Sequence, residues 1–240
     1  MDENGPVWII KTMKLFVFEL GRIGGRLPIP GYLIQTDDDH NVLVDTGCRA
    51  MQKGLLQADE SQTIVSQLRN LGLQPNDIDT VVLSHFDADH CGNLDAFPDA
   101  EIVVQCAALA FVRSSEDARF VSTREIWTAP DLQYREICGD IQLLPGIELV
   151  ATAGHVPGHQ SVLVNLPETG YVLLAIDAMP HEHSANPLVD RGPQDLDPEG
   201  AKASVRKLNA LIDQKNVRLV IFGHDPNYWQ EVHKSPQFYT

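Results

Sequence analysis

Four side chains able to bind a metal lie within six residues, directly after a short apolar segment. Residues 80–84 read TVVLS, and His85, Asp87, Asp89 and His90 follow them. Taken singly, an aspartate is usually a turn or helix-cap residue, and a histidine is usually a surface or satisfied core residue. Four together at the end of a predicted strand have the ligand types and close spacing of a metal site. This segment therefore predicts a metal centre and the strand that carries it.

Three further ligand candidates occupy similar places in the chain. His155 follows the apolar segment ELVAT, Asp177 follows YVLLAI, and His224 follows RLVIFG. Residues at strand ends are held rigidly, so strands from two halves of a chain can direct such side chains at one point. For Asp177 or His224 alone, a structural role is the simpler interpretation. Their shared position at the C-terminal ends of apolar strands favours a common site.

The apolar pattern predicts short strands interrupted by a few helices. Strands are predicted at residues 7–10, 15–19, 31–36, 41–45, 80–84, 102–104, 141–143, 148–152, 161–165, 171–176 and 218–222. Helices are predicted at residues 61–71, at residues 106–112 and after residue 200 to about residue 214. Residues 114–140 are expected to form helical cover over the site, and residues 179–200 a loop. Because strands precede a helix in both halves, we expect one α/β domain over residues 1–240, with two β-rich layers covered outside by helices.

Charge limits the classes of partner. The 240 residues carry 18 Lys and Arg against 33 Asp and Glu, a formal net charge of -15, and the basic residues are scattered. Such a field repels phosphate backbones, so we expect no nucleic-acid partner. The apolar residues 7–20 are interrupted by charges and are too few to span a bilayer, so no membrane partner is expected.

Cysteine usage bears on the compartment. Cys48, Cys91, Cys106 and Cys138 show neither a Cys-x-x-Cys spacing nor a small-domain disulfide pattern. The N-terminal residues do not read as a secretory signal. Both observations predict reduced thiols in a cytoplasmic protein.

The order of the ligand candidates resembles the metallo-β-lactamase superfamily, whose pattern is H-x-H-x-D-H followed by a distant His, an Asp and a last His. The resemblance covers nearly the whole chain, from LVDTG at residues 43–47 to GHD at residues 223–225. It implies an αββα sandwich, in which two mixed β-sheets are flanked by helices. It also implies a site for two divalent metal ions.

The resemblance assigns a role to each ligand candidate. It implies that one metal is held by His85, Asp87 and His155, that the other is held by Asp89, His90 and His224, and that Asp177 bridges them. Asp45 matches the strand-end aspartate of the family, which orients a ligand and does not itself bind metal. His159 matches the second histidine of the family's G-H-x-x-G-H stretch and is expected to be structural.

Asp87 departs from the family pattern, because it stands where the family commonly has its second histidine. Two divalent ions with three carboxylates and one hydroxide carry a net charge of about zero, whereas two carboxylates leave about one positive charge. The additional carboxylate is expected to make the bridging water less acidic. We expect zinc as the metal, although oxygen ligands suit manganese and iron as well.

The expected reaction is hydrolysis by a metal-bridging hydroxide, because two divalent ions acidify water and polarise a carbonyl oxygen. Within the superfamily the chain is most similar to the acyl-homoserine lactonases and the pyridoxolactone hydrolase. The strings that carry this likeness are PGYLI at residues 30–34, PGHQS at residues 157–161 and AIDA at residues 175–178. The likeness implies a quorum-quenching lactonase or a related esterase with a small-molecule substrate.

Three residues are expected to be catalytic: Asp89, Asp177 and His181. Asp89 is expected to move a proton after the attack, and Asp177 to hold both metals at the reacting centre. Acyl-homoserine lactonases often carry a tyrosine three residues after the bridging aspartate, and Pro180 stands there in this chain. His181 is the expected replacement, with His183 and Tyr32 as the alternatives.

Two other functions remain open from the sequence. A thioesterase of the hydroxyacylglutathione hydrolase type uses the same metal chemistry, but residues 228–240 lack the basic character that glutathione binding requires. A di-iron redox protein is the alternative from another class, because flavodiiron proteins carry H-x-E-x-D-H, with a carboxylate at the position of Asp87. The sequence leaves open a monomer or a homodimer.

Overall fold

The computed structural model describes residues 12–50 and 54–240 of the protein, and the strand predicted at residues 7–10 lies outside them. The strands are β1 (Lys14–Ile23), β2 (Leu27–Gln35), β3 (Asn41–Val44), β4 (Leu56–Gln57), β5 (Thr80–Val82), β6 (Glu101–Gln105), β7 (Gln133–Ile137), β8 (Ile141–Leu144), β9 (Ile147–Ala151), β10 (Gln160–Leu166), β11 (Gly170–Ile176), β12 (Leu219–Phe222) and β13 (Phe238–Tyr239). The helices are α1 (Ile64–Asn70), α2 (Ala88–Cys91), α3 (Cys106–Ser114), α4 (Ala118–Val121), α5 (Arg124–Trp127) and α6 (Pro198–Lys215). Single 3-10 turns lie at Glu60–Gln62, Pro75–Asp77, Leu94–Ala96, Glu182–Ala185 and Tyr228–Gln230.

The strands form two mixed sheets. The first has the order β13-β1-β2-β3-β5-β6-β7, with β4 paired to β1, and the second has the order β12-β11-β10-β9-β8. Strands β3, β5, β6 and β7 run parallel to their neighbours in that series, as do β11 and β12, and the other pairings are antiparallel. These are the two mixed sheets that the sequence predicts.

Alternating side chains place the sheets face to face. Along β2, Tyr32 and Ile34 point between the two sheets, whereas Leu33 packs on the outer helical side of the first sheet. Along β10, Val164 lies between the sheets and Leu163 packs toward α6. The period of two in a strand therefore gives each sheet one face for its partner sheet and one face for helices. The result is the αββα sandwich expected from the sequence.

Helix α6 begins earlier than predicted. Pro198 occupies the first turn, where a missing backbone N–H costs nothing, and the Asp197 side chain accepts a hydrogen bond of 3.0 Å from the Gly200 backbone. The helix ends at Lys215, and Asn216 caps it with a left-handed φ of 51°. The predicted loop at residues 179–200 is therefore too long at its C-terminal end.

The segment 114–140 is only partly the helical cover that was predicted. Helices α4 and α5 occupy its first half, but β7 follows and pairs in parallel with β6. β7 reads QYREI and carries three exposed side chains at the edge of the sheet. Such an edge strand lacks the apolar alternation that identifies a half-buried strand, so its sequence did not indicate it.

The prediction of four reduced cysteines is wrong for one pair. Cys106 and Cys138 form a disulfide with their Cα atoms 5.5 Å apart. They follow Gln105 and Ile137, which are register partners in β6 and β7, so strand pairing places the two thiols side by side. Cys48 and Cys91 are buried and free.

Within residues 12–50 and 54–240, no helix is both long and apolar enough to span a bilayer.

The apolar core between the two sheets is expected to stabilise the fold that carries the site. Leu174, which is fully buried in this core, tests that contribution. We expect Leu174→Ala to lower the free energy of unfolding by about 2–5 kcal/mol, because it removes buried methyl groups and leaves a cavity. Leu188→Ala, at an 85% exposed leucine, is the matched control and should change it by less than about 0.5 kcal/mol. Urea unfolding followed by circular dichroism measures both, and equal effects would contradict this account of the core.

Candidate metal centre

The candidate ligands meet where strands of both sheets end. β5 leads into His85, and the parallel strands β11 and β12 lead into Asp177 and His224. His155 lies in the loop between β9 and β10, and the short helix α2 carries Asp89. Because parallel strands finish at the same edge of a sheet, residues far apart in the chain are brought to one place. The structure thus gathers the candidates that the sequence places at strand ends.

Asp177 lies between two groups of ligand atoms. One group, the first triad, consists of His85, His155 and Asp177; the other, the second triad, consists of Asp89, His90 and His224. Within each triad the ligand atoms lie within 4.8 Å of one another. Asp177 Oδ2 lies 3.2 Å from His155 Nε2, and Asp177 Oδ1 lies 3.0 Å from His224 Nε2. The two oxygens of one carboxylate therefore face different triads, as a bridging ligand requires.

Each of the four candidate histidines directs Nε2 toward the triads because its Nδ1 is already engaged. In the first triad, His85 Nδ1 donates to Ser84 Oγ at 2.9 Å, and His155 Nδ1 donates to Asp195 Oδ1 at 2.9 Å. In the second triad, His90 Nδ1 donates to Asp45 Oδ2 at 2.8 Å, and His224 Nδ1 donates to the Pro28 carbonyl at 2.8 Å. A hydrogen bond at Nδ1 fixes the tautomer and leaves the Nε2 lone pair for a metal. Asp45 thus has the contact expected of a residue that orients a ligand.

His159 has a different environment from the four candidates. Its Nδ1 donates to Thr152 Oγ1 at 2.8 Å, and its Nε2 accepts from the Asp177 backbone N–H at 3.2 Å. Burial, together with the neighbouring His85 and His155, holds the pKa of His159 well below its usual value, so the ring is neutral. Both ring nitrogens are used within the protein, which is the structural role expected for His159.

Buried donor atoms indicate what the triads can bind. In the described part of the chain, His85 Nε2, His90 Nε2 and Asp177 Oδ1 are buried without a hydrogen bond of acceptable geometry, although Asp87 Oδ2 lies 3.0 Å from His85 Nε2. Native proteins rarely leave such buried polar atoms without a partner. Imidazole nitrogens and carboxylate oxygens in two adjacent triads fit two divalent cations.

The acidic groups also favour positive charge at this position. Burial alone would lower the pKa of His155, but Asp177, Asp195 and Asp87 outweigh it and raise the pKa to about 9. Burial would likewise raise the pKa of Asp177, yet the surrounding His224, His90 and His155 hold it well below its usual range. The carboxylates are therefore ionised at neutral pH, which is the state that binds metal.

Asp87 lies beside the first triad but has an additional partner that the sequence did not indicate. Its Oδ2 lies 3.2 Å from His155 Nε2, and the guanidinium of Arg119 donates to both of its carboxylate oxygens. Asp195 and Arg191 were also missed: Arg191 donates to Asp195, which in turn holds His155. All three lie in polar segments without apolar periodicity, so no local signal identified them.

A cavity of about 570 Å³ opens onto the triads. The polar part of its lining, the floor, includes Asp87, Asp89, Asp177, His155, His224 and Arg119, and the apolar part, the apolar wall, includes Ile23, Leu27, Leu55, Leu56 and Val189. This volume is in the range of small-molecule sites, which typically combine an apolar lining with a few polar groups. The site therefore suits a small molecule with an apolar portion and a polar reacting group.

The three residues expected to replace the tyrosine of the lactonases differ in their position relative to the cavity. His181 and His183 line the cavity, and their rings stack at 5.3 Å. Tyr32 is fully buried between the sheets and is not among the residues that line the cavity. Burial, Asp45 and Asp177 raise the pKa of Tyr32 well above its usual value, so it keeps its proton. His181 thus stays a catalytic candidate, whereas Tyr32 lies away from the cavity.

The sequence profile described as the metallo-beta-lactamase superfamily matches residues 24–224, so the chain belongs to this superfamily. An N-acyl homoserine lactonase from Bacillus sp is 34% identical over 83% of this chain and 82% of its own length. The crystal structure of a quorum-quenching N-acyl homoserine lactone lactonase has a TM-score of 0.87 at 29% identity, covering 96% of this chain and 100% of that chain.

A third relative carries a ligand. The structure of an N-acyl homoserine lactone hydrolase with N-hexanoyl-L-homoserine bound at its catalytic metal center has a TM-score of 0.84 at 27% identity, covering 97% of this chain and 100% of that chain. The predicted superfamily, fold and class of enzyme, a metal-dependent lactone hydrolase, are confirmed by these comparisons. They do not favour the thioesterase or the di-iron alternative.

The geometry of the second triad predicts the effect of removing one imidazole. We expect His224→Ala to reduce bound metal from about two to about one per chain, because His224 supplies an Nε2 atom to that triad alone. His233→Ala, at an exposed histidine, should leave the metal content unchanged. Elemental analysis after dialysis measures both proteins. Two retained metals in His224→Ala would remove His224 from the set of ligands.

Proposed function

We propose that this protein hydrolyses the lactone ring of N-acyl homoserine lactones at a site for two zinc ions. The observation that carries the proposal is the position of Asp177, whose two carboxylate oxygens face two ligand triads on the floor of a cavity with apolar side chains in its lining. The names of the relatives support the same substrate class.

The ligands divide between two metal positions. His85, Asp87, His155 and Asp177 Oδ2 would hold one ion, and Asp89, His90, His224 and Asp177 Oδ1 would hold the other. Two bound divalent ions lower the pKa of water and polarise a carbonyl oxygen. Four imidazoles in the set favour zinc, since imidazole nitrogen suits zinc better than manganese or magnesium.

The cavity supports a substrate with an acyl chain. A lactone ring on the polar floor would lie against the triads, while the acyl chain would extend along the wall formed by Ile23, Leu27, Leu55 and Leu56. Leu55 is 70% exposed, so an acyl chain would cover apolar surface that otherwise meets water. The wall therefore favours long acyl chains over short ones.

The chain's own residues would manage the protons of ring opening. Water adds to the carbonyl carbon, the ring C–O bond breaks, and the products are a carboxylate, a hydroxyl group and one proton released to solvent. Burial alone would raise the pKa of Asp89, but the nearby His90 and His224 outweigh burial and lower that pKa below its usual value. Asp89 is therefore ionised, and it would accept a proton from water and pass it to the ring oxygen. His181 lines the same cavity and would donate a hydrogen bond to the substrate oxygen. Burial lowers the pKa of His181, so it would act through the N–H of a neutral ring.

The substrate prediction can be tested with homoserine lactones that carry butanoyl, hexanoyl and decanoyl chains. We expect ring opening of all three, with kcat/KM rising by up to about fourfold per methylene buried on the apolar wall, equivalent to about 0.8 kcal/mol. A pH-indicator assay measures turnover. A chelator should abolish it, and added zinc should restore it. Protein with two bound metals that opens none of the three lactones would reject the proposed function, and bound iron with a visible charge-transfer band would support the redox alternative.

The role of His181 predicts a loss in the chemical step. We expect His181→Ala to lower kcat by roughly 10- to 100-fold with unchanged metal content, because one hydrogen bond to the reacting oxygen is lost. His183→Gln removes the stacked neighbour and serves as the control, with less than about a threefold effect. Steady-state kinetics on the hexanoyl substrate measure both variants. Equal losses in the two variants would assign His181 a packing role.

Two further expectations from the sequence, a cytoplasmic location and a monomeric or homodimeric state, stay predictions.

A further inference from the structure

Arg119, which belongs to α4, reaches the first triad from the segment 114–140. Its Nε and Nη2 atoms donate to the two carboxylate oxygens of Asp87, and its Nη1 donates to the Gln194 carbonyl at 2.8 Å. The side chains of Arg119 and Asp87 are 21% and 9% exposed, so water screens the pair weakly. This two-pronged contact is the strong geometry for a guanidinium and a carboxylate. Arg119 is therefore held at the floor of the cavity.

The same Nη2 atom of Arg119 lies 2.8 Å from His155 Nε2. His155 donates through Nδ1 to Asp195, so in the neutral form of the ring, which is the form that binds a metal, Nε2 carries a lone pair, and an arginine can only donate. Arg119 Nη2 thus uses the His155 lone pair and the Asp87 Oδ2 atom together. These are two of the atoms that the first triad and Asp87 would offer to a metal ion. A metal ion at this position would compete with the guanidinium for them.

The charges of Asp87 and Arg119 also bear on cation binding at the first triad. Asp87 adds one carboxylate to the site in place of a neutral imidazole, and Arg119 adds one positive charge directly beside it. The Asp87–Arg119 pair is therefore equivalent in net charge to the neutral histidine that the superfamily commonly has. The cost of this arrangement is that a positive group lies next to a position for a divalent cation.

The second triad has a different surrounding. The buried carboxylate of Asp45 accepts a hydrogen bond from His90 Nδ1, which makes the imidazole a stronger ligand. Within residues 12–50 and 54–240, the hydrogen bonds and ion pairs of Asp89, His90 and His224 include no arginine or lysine. A carboxylate accepts from one imidazole of each triad, Asp195 from His155 and Asp45 from His90, but a guanidinium contacts the ligand atoms of the first triad alone.

We propose that Arg119 is a positioning residue that makes the first-triad position the weaker and more readily exchanged of the two divalent-cation positions. Its guanidinium holds Asp87 in place and competes with the cation for His155 Nε2 and Asp87 Oδ2. The inference rests on the two-metal site of the proposed function and adds an unequal affinity of its two positions.

The test measures Zn²⁺ affinity without substrate, by competition with a chromogenic chelator and by elemental analysis after dialysis. We expect two binding steps in the unmodified protein. Arg119→Gln should tighten the weaker step by roughly 10- to 100-fold and leave the tighter step unchanged, because the competing charge is gone. Arg119→Lys keeps the charge, so its weaker step should stay weak. Arg113→Gln, which removes an exposed arginine paired with Glu136, is the matched control and should change neither step.

A second pair of variants keeps the test decisive if Arg119→Gln does not fold. Asp87→His alone leaves the guanidinium without its carboxylate and should weaken the weaker step further. Asp87→His combined with Arg119→Gln removes both partners and should give two steps of similar affinity. Two binding steps of equal Zn²⁺ affinity in the unmodified protein would overturn the proposal. So would an Arg119→Gln variant whose weaker step has a lower or unchanged Zn²⁺ affinity. Two bound zinc ions without lactone hydrolysis would reject the function and leave this inference standing.

Discussion

The site depends on one buried carboxylate, Asp177, that faces two sets of ligands at once. Its position requires β11 to end beside β12 in the second sheet while β5 ends opposite in the first. The face-to-face packing of the sheets fixes the distance between these strand ends, because the apolar side chains between them are closely packed and resist small displacements. The metal centre is thus a consequence of how the two halves of the sandwich meet.

Burying so many ionisable groups is unfavourable unless opposite charges compensate them. The two triads and the adjacent Asp87 place three carboxylates and four imidazoles in a cluster that is largely removed from water. Asp45, Asp195 and the Pro28 carbonyl fix the imidazoles through Nδ1, so the Nε2 atoms have little freedom to turn away. Two divalent cations would neutralise the excess negative charge, and their binding energy would then contribute to the stability of the fold.

Segments between the main strands add charged side chains beside the metal site. Arg119 comes from the segment between α3 and β7, and Asp195 and Arg191 come from the segment before α6. All three contact residues of the rigid strand-end site and carry charge to one side of it. Loops on a fixed scaffold can change metal affinity and substrate selection in this way without disturbing the core.

The sequence by itself determined the superfamily, the order of the main strands and the seven ligand candidates. Apolar strands and the residues that directly follow them are local features, and the spacing of His85, Asp87, Asp89 and His90 is visible in six consecutive positions. Only the tertiary structure decided the pairing of Arg119 with Asp87, 32 residues away, and of Cys106 with Cys138. Such contacts join polar residues of distant segments, and a single charged or sulfur-containing side chain carries no periodicity that names its partner.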